Sequence, residues 1–124
     1  MNGGSCGSER WNIKTGTDSQ ASSVSLVPKT TTITALRALA AAGAGNSRES
    51  PTETTLWELK DVILTELKSE SDSDEHLVLT DPSSNSDTLL AEIPYPKCAT
   101  GSVWLCFITN VRSELGDMPR SCGT

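Results

Sequence analysis

Large apolar side chains are scarce in this 124-residue sequence. Hydrophobic residues make up 35%, and one Phe, one Tyr and three Trp are its aromatic residues. Ordinary domains carry about 45–50% apolar residues, Gly included. The chain therefore has the length for one domain but little to fill a core. No apolar run approaches the ~18 residues of a membrane helix, so no membrane span is expected. The start, MNGGSCGSERW, lacks the charged and apolar regions of an export signal. Long basic runs are missing too. Residues 1–52 carry five basic and three acidic side chains, and residues 53–124 carry five and thirteen. An acidic half of this kind repels phosphate backbones, and nucleic-acid binding is not expected. A single His and no C-x-x-C pair leave no Cys/His zinc set. Cys6, Cys98, Cys106 and Cys122 are even in number and allow three disulfide pairings, among which the sequence does not choose.

What the chain does have is concentrated in Thr55–Cys98: most of its large apolar residues, its one His and a dense group of acids. Before that stretch, 1–9 reads as a disordered Gly/Ser-rich start. Arg10 to Asp18 alternates Trp11 and Ile13 against Asn12 and Lys14 and reads as a short strand ending at Gly16. Val24 and Leu26 alternate again before Pro28. Ile33, Leu36 and Leu39 then recur at helical spacing behind a Thr N-cap, so a helix is expected over 33–42, stopped by Gly43 and Gly45. The rest, to residue 51, reads as linker.

Leu56 to Lys68 fits two patterns. Thr55-x-x-Glu58 is a capping box, and Leu56, Leu59, Ile63 and Leu67 would share a helical face. The next segments favour a strand. His76–Thr80 is short and β-rich, Asp81-Pro82 opens a turn carried on by Ser83–Asp87, and Thr88–Ile93 runs into Pro94. Two hairpin strands need a third. Further on, Ile108–Leu115 fits a helix with Ile108, Val111 and Leu115 inward, and 116–124 reads as a disordered tail. The organisation expected is thus an N-terminal segment over 10–51 and a β-meander with a following helix over 52–115.

Three motifs carry a resemblance. Glu9-Arg-Trp-x-x-Lys-Thr-Gly-Thr-Asp18, the spaced acids and His76-Leu-Val-Leu79 after Lys68, and Glu92-Ile-Pro-x-Pro-x-Cys98 together resemble a family of uncharacterised bacterial proteins, often exported. The resemblance implies an extended Thr55–Lys68 and an OB-like small barrel. It also implies that this chain lacks the last two barrel strands, as a truncated fragment would. The fold expected is therefore mainly β (α+β), an incomplete OB-like barrel built on a three-strand meander with short helices. Cys6 and Cys98 flank the best-matching motifs, and a bridge between them would suit an exported protein with a thin core. Four reduced thiols are the alternative.

For chemistry, Glu70, Asp72, Asp74 and His76 are the candidate metal ligands. Acids alternating in a loop can converge on Ca²⁺ or another divalent cation, although the EF-hand Gly and Glu are missing. The plainer reading is a solvated hairpin tip whose charges protect a sheet edge. His76 beside Asp74 or Asp81 could act as a base, yet no G-x-S-x-G elbow supplies a nucleophile, and no catalytic residue is assigned. The three Trp read as packing anchors. The function expected is a non-catalytic binding or structural module of an exported protein. A metal-dependent hydrolase or nuclease-type enzyme and a non-functional fragment are the alternatives. An uncovered third strand would leave an open sheet edge and favour self-association.

Overall fold

The computed structural model describes residues 6–8, 10–39, 45, 47–69 and 74–116. Helix α1 (Trp11–Thr15) leads to strand β1 (Ser25–Thr31) and helix α2 (Ile33–Arg37). Strands β2 (Thr55–Leu59), β3 (Ile63–Ser69), β4 (Glu75–Asp81) and β5 (Ser84–Ile93) come next, and helix α3 (Leu105–Glu114) comes last. The strands form two sheets. β1 pairs with β2 in parallel, and β3-β4-β5 form an antiparallel meander. The class is α+β, and the strands among the described residues close no barrel.

The expected three-strand meander exists, but its first strand is half the length foreseen. Thr55–Lys68 is extended as expected, yet it breaks at Lys60–Val62, where Asp61 takes a left-handed φ of 58°. The part before the break joins β1 and the part after joins β4. Arg10–Asp18 is a correction of kind. It coils into α1 because Gly16, at φ 72°, accepts a left-handed cap and returns its N–H to the carbonyls of Asn12 and Ile13. Two alternating apolar residues are too short a signal to outweigh that cap.

Smaller corrections concern element ends. β1 runs through Pro28, which is tolerated in a two-stranded ribbon with open edges. The turn after Asp81 is only Pro82-Ser83, so Ser84–Asp87 belongs to β5. Asp81 makes that tight turn, accepting from the Ser83 N–H at 2.9 Å and the Ser83 hydroxyl at 2.7 Å. α2 ends at Arg37 with Ala38 as its C-cap, not at the glycines. Of the helix expected over 33–42, Ala40–Ala42 lie outside the described residues. So do most of the 1–9 and 116–124 ends, Cys6–Ser8 and Gly116 excepted. α3 starts earlier than expected and turns inward not Val111 but Thr109 and Arg112, both buried, while Val111 is exposed.

The core is as thin as the composition implies. Among the described residues five apolar side chains are buried (Ala21, Ile33, Leu77, Pro94, Ala99), against seven polar or charged ones. Polar bonds and a covalent tie therefore carry an unusual share of the fold. Cys6 is bridged to Cys98, and Cys106 is also disulfide-bonded. Near the bridge the Trp11 indole N–H donates to the Cys98 carbonyl at 3.3 Å. The Trp11 ring also lies so close over Gly7 that a Cβ there would sit 2.5 Å from it.

Two arginines clamp the segment before β2 onto α1. Arg48 donates to both Asp18 carboxylate oxygens at 2.8 Å and stacks on the Trp104 ring at 5.2 Å. Arg10 grips Glu53 at 2.8 and 3.0 Å and the Gly45 carbonyl at 2.7 Å.

Candidate functional site

The β3–β4 and β4–β5 ladders set Lys68, His76 and Glu92 in one row across the meander. Side chains of paired residues share a face, so the His76 imidazole lies beside the Glu92 carboxylate. His76 Nε2 stands 2.7 Å from Glu92 Oε1. Asp74, just before β4, contributes a second carboxylate that is fully buried. One ligand atom each from Asp74, His76 and Glu92 lies within 4.8 Å of the others.

A lysine from α1 enters this cluster. Lys14 Nζ donates to Asp74 Oδ2 at 2.8 Å and lies 3.0 Å from Glu92 Oε2, with its ammonium 5.1 Å from the Trp11 ring centre. Burial alone pulls the Lys14 pKa down and is the largest single influence. The hydrogen bonds and charges of Asp74 and Glu92 together outweigh it, so the net shift is upward. Lys14 is therefore held as a cation between two carboxylates. Beside it an open groove of about 800 Å³ runs between α1 and β5, lined by Gly7, Arg10, Trp11, Lys14, Leu90 and Glu92.

Of the expected ligands, Asp74 and His76 come together here, and Glu70 and Asp72 lie outside the described residues. Glu92 and Lys14 are members outside the expected set, although the expected strands, with Thr80 opposite Thr88, already place Glu92 across from His76. Relative to the tight Pro82-Ser83 turn the hairpin register slips. One step on β4, from Thr80 to Asp81, spans four on β5, from Thr88 back to Ser84. Counting back from Pro82-Ser83 would place another residue opposite His76. Lys14 is hidden because the alternation of its segment points to a strand, which would not bring it here.

The Trp residues are half-buried. Trp11 and Trp57 use their N–H groups on main-chain carbonyls, and Trp104 takes the Arg48 guanidinium on its face. No helix among the described residues is long and apolar enough to cross a membrane.

Fold and site together define a small disulfide-bridged α+β domain with a half-buried lysine held by two acids. No family model, curated protein or solved structure matches the chain.

Proposed function

We propose that this chain is a non-catalytic binding or structural module that works in an oxidising compartment, as an exported protein would. The observation that carries the reading is the place of Lys14. Its ammonium occupies the space between Asp74 and Glu92 that a metal ion would need, so the acids serve to pin α1 to the meander. The compartment is supported by the Cys6–Cys98 bridge, since such bonds persist where thiols are not kept reduced.

A metal-dependent hydrolase is the second reading. It is favoured by the closeness of Asp74, His76 and Glu92, a nitrogen and carboxylate donor set that suits Zn²⁺ or Mn²⁺.

Calorimetry separates the two. Titration of the wild-type chain with Ca²⁺, Mg²⁺, Mn²⁺ and Zn²⁺ is expected to give no saturable heat and no thermal shift. Lys14→Met should cost about 1–3 kcal/mol in urea unfolding, less than for a fully buried pair because Lys14 and Glu92 are partly hydrated. Micromolar or tighter metal binding by the wild type, with Lys14→Met as stable as the parent, would reverse the assignment.

A further inference from the structure

The two outer strands of the meander are treated differently. β5 is covered, with α2 packed against it. The Arg37 guanidinium donates to the Thr88 carbonyl at 2.9 Å, and Arg112 donates to that of Ile93 at 3.1 Å. β3 at the other edge has all seven residues exposed, with Ile63, Leu64 and Leu67 at 47, 46 and 43%. The edge expected to be open in the third strand is thus found in the first.

β3 also carries a self-complementary pattern. A bulge at Thr65 puts Leu64 and Leu67 on one face, opposite Leu79 and Leu77. Glu66 and Lys68 lie on the other face and flank Leu67. Antiparallel pairing of two identical strands about a two-fold axis sets each residue opposite its mirror position. With the axis at Leu67, Glu66 of each copy faces Lys68 of the other. With the axis at Glu66 or Lys68, like charges face each other, which is unfavourable. An axis between residues would put apolar and charged side chains on one face.

We propose that β3 is the seam of a two-fold homodimer centred on Leu67. The occupant of the open edge is a second copy of this chain, and the product is a six-stranded antiparallel sheet. Two salt-paired rows close one face. On the other, the apolar stripe of Leu77 and Leu67 runs unbroken into its copy. The bulge ends the flat part of the edge at Thr65, so the seam is short and its affinity modest. This assembly goes beyond the proposed function and stands on the edge geometry alone.

Charge reversal tests it. Sedimentation velocity of the full oxidised chain, from about 1 to about 100 µM, covers the range of a small interface. About 0.15 M salt screens the net charge of −6. The wild type should show a monomer–dimer equilibrium. Glu66→Lys and Lys68→Glu should each weaken it by about tenfold or more, since both symmetry-related pairs become repulsive. The double variant should restore it. All variants should keep the wild-type circular dichroism, because the positions are exposed. A wild type monomeric throughout, growth into larger species, or a double variant as weak as the singles would overturn the proposal.

Discussion

Arg48 joins four partners: the Asp18 carboxylate, the main-chain carbonyls of Ile13 and Glu53, and the face of Trp104. Its bond to Asp18 is the main reason that carboxyl is held below its ordinary 3.8. Arg10 lowers Glu53 from 4.5 in the same way, and the Ser83 hydroxyl leads the lowering of Asp81. Because all three are depressed on folding, their contribution is present above about pH 4.5 and is lost as pH falls through the folded values. Urea midpoints should therefore be level from neutrality to about pH 5 and drop below pH 4. Asp18→Asn should cost about 2 kcal/mol at neutral pH and shrink that acid decline. An unchanged acid limb would mean that other carboxylates control it.

Element boundaries show where sequence patterns have force and where they fail. β4 is legible because His76–Thr80 is β-rich and stops at Asp81-Pro82, a turn signal rooted in the Asp side chain. The helical look of Leu56, Leu59, Ile63 and Leu67 spans the Asp61 break, which divides them between β2 and β3, and no periodicity rule foresees that break. The buried face of α3 is not legible, because Thr109 and Arg112 go inward, carried by bonds to the Leu105 and Ile93 carbonyls rather than by apolarity. The Thr65 bulge supports a test of register. Deleting Thr65 leaves Leu64, Glu66 and Leu67 opposite Leu79, Val78 and Leu77 in regular order. That deletion should cost only about 1 kcal/mol, from its bonds to Val78 and Thr80. Deleting Val78 instead turns half of β4 over and should abolish cooperative unfolding in urea.

At the scale of the molecule, composition is a sound guide to the thin core and the acidic meander. It offers no means of pairing β1 with β2 across the chain, since that contact depends on the Asp61 break. Nor can it assemble the candidate site, whose four members come from α1, the approach to β4, β4 itself and β5. With so few buried apolar groups, the Cys6–Cys98 bridge has large leverage. Replacing both cysteines by Ser should lower unfolding free energy by about 2–5 kcal/mol, the range for closing a long loop. Thermal melts of oxidised and substituted chains would measure this, and equal midpoints would contradict it.

The same bridge has a mechanical meaning. Both sheets, α1 and α2 lie inside a covalently closed ring, from Cys6 to Cys98. A pull applied at the two ends of the molecule passes from sulfur to sulfur and leaves the strands slack. The ring thus protects its own contents from force.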